Sequence, residues 1–162
     1  MTNVARAGGG RAAAITFVGD VAKGLIPVLA AQAIIGSVPP ALALVGFAAF
    51  AGSIASIFLG FRGGRGVSTS LGVWLGLAPA AIGIALLFFA ILIATTRIVS
   101  LASIGAAIAL PAAVAAVGTN RHYILLAILM SALVLLRHRD NIKRLMSGEE
   151  PKMGSRSRKP AE

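Results

Sequence analysis

The sequence contains no cysteine and very little charge. Its 162 residues include 5 acidic side chains, 15 Lys or Arg and 2 His, so that only 12% of the chain is charged, whereas soluble domains carry about 25%. Without cysteine, disulfide scaffolds, iron–sulfur clusters and thiolate catalysis are excluded. The few His and acidic residues also argue against a buried site for two metal ions. The scarcity of charge excludes a soluble enzyme or a nucleic-acid-binding domain, despite a net charge of +10.

The sequence contains long apolar stretches that carry no charged residue. No Asp, Glu, Lys or Arg occurs in residues 24–61, 66–96 or 98–120. Uncharged apolar runs of about 18 residues or more are typical of transmembrane helices. The sequence therefore predicts an all-α, polytopic integral membrane protein.

The apolar stretches divide into six predicted transmembrane segments, some of them short or broken. Residues 66–96 would form a helix of about 46 Å if unbroken, too long for about 30 Å of hydrocarbon, so a break is predicted near Ala78-Pro79. A turn is predicted at Pro39-Pro40, because proline removes a backbone donor. The segments are residues 12–35, 41–60, 66–78, 79–96, 101–117 and 123–136.

The distribution of basic residues favours six crossings with both ends in the cytoplasm. With this topology only Arg121 lies on the far face, as the positive-inside rule requires. The residues on the cytoplasmic face are Arg6, Arg11, Arg62, Arg65, Arg97 and the eight Lys or Arg after Leu136. We therefore expect a transmembrane domain over residues 1–146 and a basic, disordered cytoplasmic tail over residues 147–162, attracted to anionic lipid.

The polar residues at this face have the composition of an anion-binding site. Guanidinium groups suit phosphate oxygens, successive glycine amides can form a nest, and a helix N-terminus after Gly66 favours an anion. The candidates are Asn3, Arg6, Gly63, Gly64, Arg65, Gly66, Ser68, Thr69, Arg97, Ser100, Ser103, Arg137, His138, Arg139 and Asn141.

Each of these features also has a purely structural interpretation. The glycine loop alone could be an ordinary turn, and Arg97 a topology signal. Ser100 and Ser103 could form a helix cap or a packing pair. The basic stretch around His138 could simply be solvated. Asp20 and Lys23 fall inside the first segment, where each costs roughly 2.5–3.5 kcal/mol near the bilayer centre, so they are either a structural ion pair or functional.

Five blocks of sequence, in order, resemble the bacterial acyl-phosphate-dependent glycerol-3-phosphate acyltransferases, the PlsY family. The resemblance covers residues 2 to about 149. The blocks are TNVAR (residues 2–6), GDVAKGLIPV (19–28), FRGGRGVST (61–69), TRIVSLAS (96–103) and RHRDNIKRL (137–145).

The resemblance implies a seven-crossing bacterial plasma-membrane enzyme with a cytoplasmic active site. It would transfer a fatty acyl group from acyl phosphate to the sn-1 hydroxyl of glycerol 3-phosphate, forming lysophosphatidic acid and phosphate without a cofactor or metal. Gly63, Gly64 and Gly66 would bind the acyl-phosphate phosphate. Glycerol 3-phosphate would be held by Arg6, Arg65, Ser103, His138 and Asn141. Asn3, Arg97 and Ser100 would also belong to the substrate-binding residues. Arg65, Ser103 and His138 are the catalytic candidates.

Two departures from the family pattern stand out. The family opens with a transmembrane helix and a Gly-Ser-Gly-Asn-x-Gly-Ala-Thr-Asn block, of which this sequence keeps only Thr2-Asn3; we expect that the first helix is missing through a late or truncated start. Ser53 and Ala55 also replace the histidine and aromatic residue that commonly precede the glycine loop.

Several alternatives stay open at this stage. A small membrane transporter or anion-binding membrane protein would also contain broken helices and intramembrane charge, and an inactive family member would share the blocks. Two general bases are possible, His138 or an oxygen of the departing phosphate. The acyl-chain preference and the oligomeric state are not predicted.

Overall fold

The computed structural model describes residues 2–55 and 63–154, with side chains from residue 9 onward. All regular secondary structure in these residues is helical, which confirms the all-α prediction. The helices are α1 (Thr2–Ile35), α2 (Pro39–Ile54), α3 (Val67–Leu77), α4 (Pro79–Thr96), α5 (Val99–Ala116), α6 (Arg121–Arg137) and α7 (Arg139–Met146).

Most helix boundaries follow the predicted segments, but α1 begins at Thr2, before the predicted residue 12, and α2 ends at Ile54, before the predicted residue 60, which lies outside the described residues. The predicted break is present, because α3 ends at Leu77 and α4 begins at Pro79, where proline suits the first helical position. Three helices are long and apolar enough to span a membrane, Gly9–Ile35 of α1, α4 and α5, and α6 with α7 makes a fourth candidate bent by 62°. Helices α2 and α3 are apolar but shorter, so the count of six crossings stays a prediction.

Helix α7 lies in a basic stretch for which no helix is predicted from the apolar pattern. Its charges are arranged to suit a helix dipole, with Asp140 in the first turn and Lys143 and Arg144 in the last. Asn141 is its one buried residue. Because the helix has only 8 residues and is largely polar, hydropathy alone gives no sign of it.

The two charged residues inside α1 form an ion pair. Lys23 Nζ lies 3.2 Å from Asp20 Oδ1, and the Lys23 side chain is 70% exposed. This contact favours the structural interpretation of the two charges, since it joins them to each other one helical turn apart.

Helix α3 lies at the centre of the packed helices. Val73 and Trp74 have no exposed surface, and α3 contacts α1, α2, α4 and α6. Since residues 63–66 lead directly into α3, the burial of this helix also determines where the glycine loop lies.

Glycines bring α1 and α3 into close contact. A Cβ on Gly24 of α1 would lie 2.8 Å from the Val73 nitrogen and closer still to the Thr69 carbonyl oxygen. A Cβ on Gly72 of α3 would lie 2.9 Å from the Leu25 nitrogen. Small residues allow membrane helices to approach in this way, so any larger side chain here pushes the two backbones apart.

We expect Gly24→Ala to lower the free energy of unfolding by about 1–3 kcal/mol, the usual range for overpacking. The measurement is thermal unfolding in detergent. Gly19→Ala in the same helix is the matched control, because a Cβ there would meet nothing within 4 Å and alanine favours the helix by about 1 kcal/mol. Equal effects of the two substitutions would contradict the close contact.

Candidate active site

The glycine loop, residues 63–66, packs against the end of α2. The Gly64 N–H donates to the Ser53 carbonyl at 3.2 Å, and a Cβ on Gly63 would lie 2.5 Å from the Ile54 carbonyl carbon. Gly66 caps α3 in the left-handed conformation, with φ of 76°, which glycine adopts without a steric penalty. A side chain at Gly66 would also collide with Phe50.

Arg137, at the end of α6, holds the outer side of this loop. Its Nη2 donates to the Gly63 carbonyl at 2.5 Å and its Nε to the Gly64 carbonyl at 3.3 Å. The loop is therefore attached to α2 through one amide and to α6 through two carbonyls.

A carboxylate lies among the polar residues on this side of the protein. Glu150 Oε1 accepts hydrogen bonds from Ser100 Oγ and Asn141 Nδ2, both at 2.6 Å. Its Oε2 accepts one from Arg144 Nε at 2.7 Å, and the Glu150 side chain is only 7% exposed. This residue joins the start of α5 to α7. Three residues later, the Met153 N–H donates to the Arg97 carbonyl at 2.7 Å.

Arg65 interacts electrostatically with this cluster. Burial lowers the pKa of Arg65, and the negative charge of Glu150 partly offsets the effect; arginine still stays protonated. Burial alone would raise the pKa of Glu150, but hydrogen bonds from Ser100, Asn141 and Arg144 hold it below its usual value. Both groups are therefore charged at neutral pH.

His138, between α6 and α7, is buried and oriented by the backbone. It is 1% exposed, and its Nδ1 lies 2.8 Å from the Val134 carbonyl oxygen. Since a carbonyl can only accept, Nδ1 carries the proton and Nε2 of the neutral ring is an acceptor. Burial lowers the pKa of His138; the Val134 hydrogen bond opposes this shift, and the charge of Arg65 adds to it.

Asn141 has an unused acceptor. Its Oδ1 is buried and makes no hydrogen bond within the described part of the chain, although buried polar atoms are normally satisfied. Together with His138 Nε2, it gives the site two acceptors that a hydroxyl group can satisfy.

The structure brings several predicted site residues together and separates others. Ser100 and Asn141 share the Glu150 carboxylate, and Arg65 acts on both His138 and Glu150. Ser103 bonds to the Val99 carbonyl and lines an apolar cavity of about 150 Å³ between α3, α4 and α5.

The remaining predicted site residues lie either outside this cluster or outside the described residues. Arg97 is exposed and contributes its carbonyl to the Met153 contact. The side chains of Asn3 and Arg6, and all of Arg62, lie outside the described residues.

Sequence reasoning missed the site contacts of Glu150, Arg144 and Arg137. Glu150 falls in the predicted disordered tail, yet residues 147–154 are described and make the contacts given above; for residues 155–162, which lie outside the description, disorder stays a prediction. One signal was available, because Glu150 is one of only 5 acidic residues in a strongly basic chain. No group of three metal-ligating side chains occurs within residues 2–55 and 63–154.

We expect Glu150→Gln to destabilise the protein by about 2 kcal/mol, because three donors lose a charged acceptor. The folded-state pKa of Glu150 is depressed, so this contribution is present above the unfolded value of 4.5 and is lost as the pH falls through the lower folded value.

The measurement is the difference in thermal unfolding between the parent chain and Glu150→Gln as a function of pH. That difference should shrink on acidification below pH 4.5. Glu149→Gln is the control, because Glu149 is exposed and its side chain accepts a hydrogen bond from Ser147, which lies outside the Glu150 cluster. A difference independent of pH in this range would contradict the assignment.

The fold defines a helical membrane protein, in which Ser100, Asn141 and Arg144 surround one buried carboxylate. The chain is similar to named proteins over nearly its whole length. The glycerol-3-phosphate acyltransferase family model matches residues 1–148. A glycerol-3-phosphate acyltransferase of Geobacter sulfurreducens is 46% identical over 149 residues, which make up 92% of this chain and 76% of the relative. One from Thioalkalivibrio sulfidiphilus is 44% identical over 162 residues, 99% of this chain and 79% of the relative.

Two crystal structures agree with this result. The glycerol 3-phosphate form of PlsY (YgiH), an integral membrane glycerol 3-phosphate acyltransferase, aligns with a TM-score of 0.90 and 37% identity, over 94% of this chain and 76% of that one. The lysophosphatidic acid form aligns with a TM-score of 0.89 at the same identity, over 94% and 78%. This chain belongs to the glycerol-3-phosphate acyltransferase family. The family is one of enzymes, which favours an acyltransferase over a transporter.

Proposed function

We propose that this chain transfers a fatty acyl group from acyl phosphate to the sn-1 hydroxyl of glycerol 3-phosphate, at the cytoplasmic face of a bacterial plasma membrane. The products would be lysophosphatidic acid and inorganic phosphate. One observation carries the proposal, namely that four predicted site residues belong to one polar cluster. Arg65 comes from the loop, Ser100 from α5, His138 from the end of α6 and Asn141 from α7. Glycerol 3-phosphate and lysophosphatidic acid are the ligands named for the similar crystal structures.

The two phosphate groups would use different parts of the site. In this proposal the glycine loop, Gly63, Gly64 and Gly66, and the N-terminus of α3 bind the phosphate of acyl phosphate. The Gly64 amide is bonded to Ser53, so its part is to hold the loop in place. Glycerol 3-phosphate is held by Asn3, Arg6, Arg65, Ser103, His138 and Asn141, with Arg97 and Ser100 adding to substrate binding.

The acyl tail has a suitable position beside this loop. Ser68, Leu71, Phe89, Ser103 and Leu110 line the cavity of about 150 Å³. Its walls are mostly apolar, and two of the three serines that line it, Ser68 and Ser103, belong to predicted substrate-binding blocks. We place the first part of the tail here, with the remainder extending toward lipid.

The proposed chemistry requires no covalent nucleophile, because acyl phosphate is already activated. The glycerol 3-phosphate hydroxyl oxygen attacks the acyl carbon, the carbon–oxygen bond to phosphate breaks, and phosphate leaves with the bonding electrons. The protein aligns two anionic substrates and stabilises the developing charge. Arg65 is the positive group that we assign to this role, since it belongs to the loop and its charge acts on His138.

The hydroxyl proton passes to one of two acceptors, His138 Nε2 or an oxygen of the departing phosphate. His138 has the correct tautomer, but it would have to become positive while buried beside Arg65. Both factors lower the pKa of His138, and the opposing effects of the Val134 hydrogen bond and the negative charge of Glu150 do not reverse the shift. We therefore favour the phosphate oxygen, with His138 as a hydrogen-bond acceptor that orients the hydroxyl.

We expect Arg65→Ala to reduce turnover by about 10²-fold or more, from the loss of roughly 3 kcal/mol of charge stabilisation. Phosphate release from acyl phosphate and glycerol 3-phosphate, in membranes containing the protein, measures the effect. Arg121→Ala is the control, because Arg121 starts α6, at the end opposite Arg137, and should have normal activity. Undiminished release by Arg65→Ala would remove Arg65 from the active site.

His138→Gln distinguishes the two bases. If phosphate accepts the proton, we expect a loss of only a few-fold and an unchanged pH profile, because glutamine can still accept a hydrogen bond. If His138 is the base, its lowered pKa predicts activity that rises with pH below the usual histidine value of 6.5. A loss of about 10²-fold together with disappearance of that pH dependence would contradict our preference.

A further inference from the structure

We infer that Arg137 is a positioning residue that holds the glycine loop in the orientation needed to bind the phosphate of the acyl donor. The residues assigned above are proposed to bind substrate directly. Arg137 instead acts on the substrate through the glycine loop. The inference rests on the proposed function for the identity of the phosphate. The geometry of the contact itself comes from the structure alone.

The guanidinium joins two successive carbonyls. Nη2 bonds to Gly63 O at 2.5 Å and Nε to Gly64 O at 3.3 Å. Because a trans peptide is planar, the N–H of the next residue points away from the carbonyl before it. Holding Gly63 O therefore directs the Gly64 N–H toward Ser53 O, where it bonds at 3.2 Å. Holding Gly64 O likewise turns the Arg65 N–H away from Arg137.

The loop needs such a contact because three of its four residues are glycine. Glycine has the largest backbone freedom of any residue, and ordering it before the ligand arrives reduces the entropy lost on binding. The Gly64–Ser53 hydrogen bond fixes only one side of the loop. Arg137 fixes the other side. Because it directly precedes the buried His138, the position of the loop is coupled to the position of the histidine.

Arginine is suited to this role and lysine is not. Two carbonyl oxygens on adjacent residues match the planar fork of a guanidinium, whereas an ammonium group is a single point charge. Arg137 is exposed, so we expect its removal to alter the loop while leaving the packed helices intact.

The experiment compares Arg137→Met with Arg121→Met in the full chain in membranes. Arg121 matches Arg137 in charge and is also exposed, but it lies at the opposite end of α6, away from the glycine loop. For Arg137→Met we expect KM for acyl phosphate to rise about tenfold, the effect of losing a charge-assisted hydrogen bond. KM for glycerol 3-phosphate should stay within about twofold. Arg137→Lys should fall between Arg137→Met and the parent chain, and Arg121→Met should match the parent.

A second readout does not depend on activity. Amide hydrogen exchange over residues 63–66 should be faster in Arg137→Met, with the core of α3 unchanged. Equal exchange in Arg137→Met and Arg121→Met, or equal increases in KM for both substrates, would overturn the inference. If the parent chain transfers no acyl group, the proposed function fails, while faster exchange would still support the role of Arg137 in ordering the loop.

Discussion

The close approach of α1 and α3 is the contact on which the site depends. Gly24 and Gly72 let the two backbones meet with no side chain between them. This contact seats α3 in the centre of the helices, and α3 begins where the glycine loop ends. In a membrane, where water does not drive helices together, such packing is a main source of helix association. A feature of the helix core therefore determines the position of a loop that we assign to phosphate binding.

The charges around the glycine loop and α7 impose a second constraint on the structure of the site. Arg65, Arg137 and Arg144 all act on the same region, and like charges gathered there repel one another. Glu150 provides a negative charge within hydrogen-bond distance of Arg144, and it also satisfies Ser100 and Asn141. A site built to attract two anions would otherwise be a concentration of uncompensated positive charge. The same carboxylate ties the chain after α7 to the start of α5.

The sequence predicted much of the fold, because hydropathy and proline report directly on membrane helices. The break at Ala78-Pro79 follows from helix length and proline geometry. Helix α7 was not predicted, since it has only 8 residues and depends on the burial of Asn141 and on charges that suit the helix dipole. Residue chemistry and order along the chain suggested a shared site for Arg65, Ser100, His138 and Asn141. In the structure Ser100 and Asn141 both bond to Glu150, while the roles of all four residues stay predictions. The tertiary contacts of Arg137 and Glu150 depend on carbonyl directions and on a chain reversal that composition does not encode.

The contacts of Glu150 also bear on where this protein ends as a folded unit. The family model matches the chain as far as residue 148, two residues short of the carboxylate, although the Thioalkalivibrio sulfidiphilus relative aligns with 99% of the chain. A chain trimmed at residue 148 would keep all seven described helices and every block of family sequence. It would nevertheless leave the donors of Ser100, Asn141 and Arg144 without their acceptor. The end of the family-model match and the limit set by hydrogen bonding are therefore different, and a truncated or fused version of the chain should retain Glu150.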